Sequence, residues 1–89
     1  MSWVPKLVGD VQPSFQALRV EEQEAVIDVI ELMCEQADQR VFEERVDGWY
    51  KFIRVKVQGE VSVLSVRVLP DETSQTLFVV GIRRDSSTS

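Results

Sequence analysis

The sequence predicts an α+β domain in which a helical amino-terminal half packs on an antiparallel sheet of three to four strands. Apolar residues recur at helical spacing in the first half, and they alternate with polar residues, as in strands, in the second half. With 89 residues, the chain has room for one hydrophobic core. We therefore expect a single domain over residues 1–85, followed by a disordered tail over residues 86–89.

The amino-terminal half is expected to hold a short edge strand over residues 3–8, a helix beginning at Pro13 and a longer helix over residues 20–39. Pro5 is compatible with an edge strand, because such a strand need not donate every backbone hydrogen. Successive residues of a helix lie about 100° apart, and this spacing gathers the apolar residues of the longer helix on one face. We expect that face to be buried.

The opposite face of the longer helix carries an acidic stripe. The stripe consists of Glu24, Asp28, Glu31, Glu35 and Asp38. Like charges at this spacing destabilise a helix by up to about 0.5 kcal/mol per pair, and no lysine or arginine relieves the repulsion. The stripe is therefore interpreted either as a solvated face or as a surface for a basic partner.

Three antiparallel strands are predicted after a turn at Asp47 and Gly48, over residues 49–57, 61–69 and 76–82. The first of them alternates between apolar residues on one face and aromatic or basic residues on the other. The last is apolar on both faces, as expected for a strand in the middle of a sheet or beneath a partner.

The sheet face turned away from the helices is expected to collect aromatic and basic side chains. The candidate binding residues are Tyr50, Phe52, Arg54, Lys56, Arg67, Arg83 and Arg84. Only one of the last two is expected to reach this face, because adjacent strand residues point to opposite sides. Such groups suit base stacking and phosphate neutralisation in RNA binding, or they simply shield an exposed sheet face.

The charge of the chain is unevenly divided and favours a protein partner. Residues 1–47 carry 4 basic and 11 acidic side chains, whereas residues 48–89 carry 6 basic and 4 acidic ones. The net charge of −5 repels polyphosphate at long range, so an RNA partner stays open but is disfavoured. Self-association also stays open.

The composition argues against most kinds of catalysis. The chain has no histidine and one cysteine, which excludes a structural zinc site and nucleophilic catalysis by Ser-His or Cys-His pairs. No glycine-rich phosphate loop is present. We therefore assign no catalytic residue, metal or cofactor. Without a signal peptide or a long apolar run, the chain is expected to be cytoplasmic and to have no membrane partner.

The order of elements and two short motifs resemble the RelE/ParE superfamily of toxins from bacterial toxin–antitoxin systems. The motifs are GWYKFIRV at residues 48–55 and VVGIRRD at residues 79–85. By position, Arg54 and the pair Arg83 and Arg84 match basic positions of the family, and Arg67 is adjacent to another.

The resemblance implies one of two mechanisms. RelE-like members cut messenger RNA on the ribosome with basic residues of the sheet face, often with a tyrosine or histidine near the carboxyl terminus. ParE-like members bind DNA gyrase without a catalytic residue, and an antitoxin segment wraps and neutralises both kinds. Residues 86–89 contain neither tyrosine nor histidine, which favours the binding mechanism.

Three functional hypotheses follow. The preferred one is a RelE/ParE-like domain that acts by binding a protein, either an antitoxin or a target, as a toxin component or a non-catalytic relative. The second is a ribosome-dependent toxin that cleaves messenger RNA with the basic sheet face. The third is an acidic inhibitor or immunity-type protein that binds a basic partner through the acidic stripe.

Overall fold

The computed structural model describes residues 3–39 and 42–88, and side chains as far as Arg84. Its elements are β1 (Val4–Leu7), α1 (Val11–Gln16), α2 (Val20–Glu35), β2 (Glu43–Arg45), β3 (Gly48–Val57), β4 (Glu60–Asp71) and β5 (Thr76–Thr88). The strands form one five-stranded sheet in the order β1, β5, β4, β3, β2.

The sheet is mixed. Strand β1 pairs with β5 in parallel, and the other neighbouring strands pair in antiparallel fashion. Strand β5 therefore lies inside the sheet, between β1 and β4. This position explains why residues 76–82 are apolar on both faces, and it confirms that part of the prediction.

The predicted fold class is wrong in its proportions and in its sheet. Strands make up more of the chain than helices do, and the sheet has five strands of mixed direction instead of three to four antiparallel ones. The predicted long helix ends at Glu35 and not at Gln39. The additional strand, Glu43–Arg45, consists of three exposed charged residues, so no alternation of apolar residues could have revealed it.

Both helices cover the same side of the sheet, which we call the inner face. Helix α1 packs on β5, and α2 packs on β3 and β1. The core between the layers consists of Trp3, Val11, Val26, Ile30, Met33, Cys34, Ala37, Phe42, Trp49, Val55, Val57, Leu64, Val66, Val68, Leu77, Val79 and Ile82. Both tryptophans are thus core residues.

The two ends of the helical layer are fixed by hydrogen bonds. The backbone N–H of Arg19 donates to Glu22 Oε1 at 3.0 Å, which satisfies one of the free backbone donors at the start of α2. After the helix, the Trp3 indole N–H donates to Asp38 Oδ1 at 3.1 Å. Because Asp38 lies beyond Glu35, it belongs to the turn that follows the helix.

A β-bulge in β5 decides which residues of that strand face the helices. Val68 pairs with Val79, but Arg67 pairs with Gly81, so the register skips Val80. An extra residue in one strand reverses the alternation of faces beyond it. As a result, Arg84 lies on the inner face, together with the buried Ile82.

Strand β5 continues to Thr88, with Ser62 paired to Ser87 and Val61 paired to Thr88. Residues 86–88, where the sequence predicts a tail, are thus paired strand, and Ser89 lies outside the described residues. The pairing follows from the length of β4, whose backbone offers hydrogen bonds back to Glu60. Neither described helix is long and apolar enough to cross a membrane.

Candidate functional site on the outer sheet face

The face opposite the helices, which we call the outer face, contains a groove of about 490 Å³. The residues that line this outer groove are Arg45, Asp47, Tyr50, Phe52, Ser65, Arg67, Gly81 and Arg83. They come from four strands and one turn, so the sheet register fixes their relative positions.

Two rows of paired residues form the floor of the outer groove. In the first row, Tyr50 of β3 pairs with Arg67 of β4, which pairs with Gly81 of β5. In the second row, Phe52 pairs with Ser65, which pairs with Arg83. Ser65 is buried, whereas Phe52 and Arg83 are exposed. The bulge in β5 is what brings Gly81 and Arg83 to this face.

Asp47 lies in the turn between β2 and β3 and contacts two residues of the outer groove. Its Oδ2 accepts a hydrogen bond from the Tyr50 hydroxyl at 2.6 Å and forms an ion pair with Arg67 Nη1 at 3.4 Å. Its backbone oxygen accepts from the same Nη1 at 3.3 Å. The Tyr50 hydroxyl and, more weakly, Arg67 hold the pKa of Asp47 below its usual range. The Asp47 carboxylate raises the pKa of Tyr50.

Gly48 makes the turn that places Asp47. Its φ is +138°, and a Cβ at this position would lie 2.9 Å from the Val68 carbonyl oxygen. A side chain is therefore excluded both by backbone conformation and by space. Gly81 is different, because a Cβ there would lie 3.6 Å from the Arg67 Cβ, which is an ordinary contact distance.

An arginine covers the aromatic side of the outer groove. The rings of Tyr50 and Phe52 are stacked, with centroids 6.1 Å apart and planes inclined by 11°. The Arg45 guanidinium lies 4.8 Å from the Tyr50 centroid and 5.4 Å from the Phe52 centroid, and it also pairs with Glu43 at 2.9 Å. The outer groove thus presents three guanidinium groups, one carboxylate and an aromatic surface.

The structure assembles part of the predicted basic surface. Tyr50, Phe52, Arg67 and Arg83 lie together in the outer groove, as the alternation of strand residues predicts. Arg54 and Lys56 are exposed on β3, the strand that carries Tyr50 and Phe52, but they do not line the outer groove.

Only one of the adjacent residues Arg83 and Arg84 was expected on this surface, and Arg84 is the one that lies on the inner face. Its Nη2 and Nε donate to the Glu22 carboxylate of α2 at 2.6 Å and 3.2 Å. The Glu22 side chain is fully buried, and the Arg84 guanidinium, helped by the Arg19 backbone N–H, lowers the pKa of Glu22. The bulge at Val80 determines that Arg84, and not Arg83, takes this inner position.

The other residues that line the outer groove were not predicted from the sequence as binding residues. Arg45 follows no apolar pattern, and Ser65 and Gly81 are small residues whose position depends on the pairing of strands. Asp47 was recognised as a turn residue, and its neighbour Gly48 is the signal that the turn is sharp.

The acidic stripe stays on the surface. Glu24, Asp28, Glu31 and Glu35 are exposed along α2, whereas Asp38 is engaged by the Trp3 indole. The stripe and the outer groove therefore lie on opposite sides of the molecule.

In the part of the chain that the structure describes, no three His, Cys, Asp or Glu side chains are grouped so that they could hold a metal ion. Comparisons with protein-family models, with curated proteins and with solved structures found no match to this chain.

Proposed function

We propose that this chain acts by binding a protein partner, and that an acidic segment of the partner lies in the outer groove. The observation that carries the proposal is the grouping of Arg45, Arg67 and Arg83 around the stacked rings of Tyr50 and Phe52. Guanidinium groups bind carboxylates through paired hydrogen bonds, and the neighbouring rings offer apolar surface to the rest of a peptide.

Binding is favoured over catalysis because of the titration behaviour of the two groups best placed to transfer protons. Tyr50 has a raised pKa and stays protonated at neutral pH, so it is a poor base. Asp47 has a lowered pKa and stays ionised, so it is a poor acid and a weak base. General acid–base catalysis is most effective when the pKa lies near the working pH.

A protein partner is favoured over RNA because of the net charge of the chain and the apolar surface in the groove. The whole chain carries a net charge of −5, which repels a polyphosphate before it reaches the groove. A peptide with a few carboxylates experiences less of that repulsion, and its side chains also use the Phe52 ring.

The resemblance to RelE/ParE toxins fits this proposal, because members of that superfamily are neutralised by a bound antitoxin segment. We extend the proposal to a toxin component or a non-catalytic relative with a cytoplasmic location. Expression of the chain alone should then slow bacterial growth, and co-expression with the product of the adjacent reading frame should restore it. Growth unaffected by the chain, with no complex formed on co-expression, would contradict the toxin role.

Fluorescence anisotropy with a labelled hexaglutamate peptide tests the binding proposal directly. Hexaglutamine and hexauridylate of the same length serve as comparison probes. The double variant Arg67→Gln and Arg83→Gln should weaken hexaglutamate binding by about tenfold or more, because it removes two groove cations.

The matched control is the double variant Arg54→Gln and Lys56→Gln, which removes the same charge from the same face but outside the groove. It should weaken binding by less than about threefold. Equal losses in both variants would show that only the general field matters, and the groove would then not be the site. Tighter binding of hexauridylate than of hexaglutamate would identify nucleic acid as the partner and overturn the proposal.

A further inference from the structure

We infer that Asp47 is the protein's own occupant of the anion position in the outer groove, and that a carboxylate of the partner replaces it on binding. This inference rests on the proposed function and adds to it a competitor that is built into the site. Its basis is the geometry of Asp47, Tyr50 and Arg67.

Two donors from adjacent strands converge on one carboxylate oxygen. The Tyr50 hydroxyl and Arg67 Nη1 both contact Asp47 Oδ2, at 2.6 Å and 3.4 Å. Tyr50 and Arg67 are directly paired in the sheet, so their separation is fixed by the backbone whether or not Asp47 is present. They therefore form an anion position that belongs to the sheet and not to the turn.

The contact between Asp47 and Arg67 is loose. At 3.4 Å, it is longer than the roughly 2.7 to 2.9 Å of a strong charge-assisted hydrogen bond. The Asp47 side chain is 56% exposed and that of Arg67 is 35% exposed, so another anion can reach the guanidinium from solvent. An exposed ion pair of this kind contributes little and is readily exchanged.

The turn that carries Asp47 is itself accessible. Val46, the preceding residue, is fully exposed, and Asp47 is joined to the sheet through Gly48. Removal of the carboxylate from the groove would therefore expose no core residue. The Tyr50 hydroxyl and the Arg67 guanidinium would then both donate to the incoming carboxylate instead of to Asp47.

The consequence is a threshold for binding. Asp47 competes with the ligand for the Tyr50 hydroxyl and the Arg67 guanidinium. Because Asp47 is part of the same chain, its effective concentration at this position is high, and a ligand with a single weakly bound carboxylate does not replace it. A partner segment must also use Arg83 or the aromatic pair to gain enough free energy. Asp47 thereby makes the groove more selective at the expense of affinity.

The test compares three variants in the hexaglutamate assay. Asp47→Asn keeps the size of the side chain and removes its charge, and Asp47→Ala also removes the hydrogen-bond acceptor. Both should bind hexaglutamate about five- to tenfold more tightly than the wild type, because the competitor is gone. Glu24→Gln removes the same charge from α2, far from the groove, and should tighten binding by less than about twofold.

Unchanged or weaker binding by both Asp47 variants would overturn the inference, because Asp47 would then organise Arg67 and not compete for it. If neither the wild type nor the variants bind hexaglutamate, the proposed function fails as well. Tightening for hexauridylate alone would also overturn the inference, since a phosphate and not a carboxylate would then replace Asp47. Circular dichroism of each variant verifies that the fold is intact.

Discussion

The guanidinium of Arg84 and the carboxylate of Glu22 form a two-point contact, at 2.6 Å and 3.2 Å, between residues 62 positions apart in the sequence. Glu22 Oε1 also accepts the Arg19 backbone N–H, so the same carboxylate caps α2 and fastens it to β5. A buried charge is tolerated only when it is paired and hydrogen-bonded, and this one is both. The contact thus links the helical layer to the far half of the last strand.

Loss of the arginine from this contact should destabilise the fold. Arg84→Gln leaves the buried Glu22 carboxylate without its main partner, and we expect the free energy of unfolding to fall by about 2 kcal/mol. The estimate is below that for a fully buried pair, because the Arg84 side chain is 43% exposed. Urea denaturation measures the change. The control Arg54→Gln, at an exposed position of β3, should cost about 0.5 kcal/mol or less, and an equal loss in both variants would contradict the assignment.

Glu22 should make the fold sensitive to acid. Its pKa in the folded protein is lowered by Arg84 from the ordinary value of 4.5, so ionised Glu22 stabilises the fold above that value. The stabilisation is lost as the pH falls from 4.5 through the lowered pKa, because the unfolded state, whose Glu22 has the higher pKa, takes up the proton first. Relative to the wild type, Glu22→Gln should be less stable at about pH 7, and this difference should shrink as the pH falls below 4.5 towards about 3. Unfolding curves at the two pH values measure it, and a constant difference would refute the prediction.

The Tyr50 hydroxyl should titrate at a lower pH once Asp47 is neutralised. The hydrogen bond to the Asp47 carboxylate raises the pKa of Tyr50 above its ordinary value of 10.0. Asp47→Asn should therefore bring the pKa back towards that value. The chain has one tyrosine, so an ultraviolet absorbance titration reports it alone. Glu24→Gln should leave the titration unchanged, and a shift of equal size in that variant would contradict the local cause.

Gly48 should tolerate no side chain. Gly48→Ala combines an unfavourable positive φ with a close approach to the Val68 carbonyl, and it should lower the free energy of unfolding by about 2 to 3 kcal/mol. At Gly9, a Cβ meets no atom within 4 Å and the φ is not in the positive region, so Gly9→Ala should change stability by less than about 1 kcal/mol. Thermal unfolding of the two variants makes the comparison. Similar losses would show that the Gly48 turn relaxes.

Gly81→Val should narrow the outer groove without disturbing the sheet. Its Cβ would stand at an ordinary contact distance from Arg67, and valine suits a strand. We expect hexaglutamate binding to weaken about tenfold while the unfolding midpoint changes little. Full binding by this variant would mean that the peptide does not approach the floor of the groove.

Hydrophobic periodicity predicted the parts of the fold that depend on burial alone. The apolar residues Val55 and Val57 alternate with the exposed Phe52, Arg54 and Lys56, and the structure has the same pattern. The position of β5 inside the sheet is one of the two explanations that its apolar faces predicted. These features can be predicted from local sequence, because a strand residue lies on the same face as the residues two positions before and after it and is buried or exposed together with them.

The errors arose where pairing, not periodicity, determines the structure. Strand β2 forms because its backbone pairs with β3, although its side chains are charged and exposed. The bulge at Val80 has no signature in composition, yet it determines that Arg83 faces the groove and Arg84 faces the helices. Glu22 was not singled out in the sequence, because its partner Arg84 lies far away along the chain.

The bulge at Val80 in β5 also determines which of the two adjacent arginines near the carboxyl terminus contacts α2 and which faces the groove. Arg84 binds Glu22 on the inner face and Arg83 faces the outer groove, and the bulge determines which arginine takes which face. If Val80 were instead paired in an uninterrupted ladder, the same side chains would be present, but Arg83 would lie on the inner face and Arg84 on the outer face. The pairing register of β5 with β4, and not the identity of the residues alone, therefore determines which arginine faces the groove.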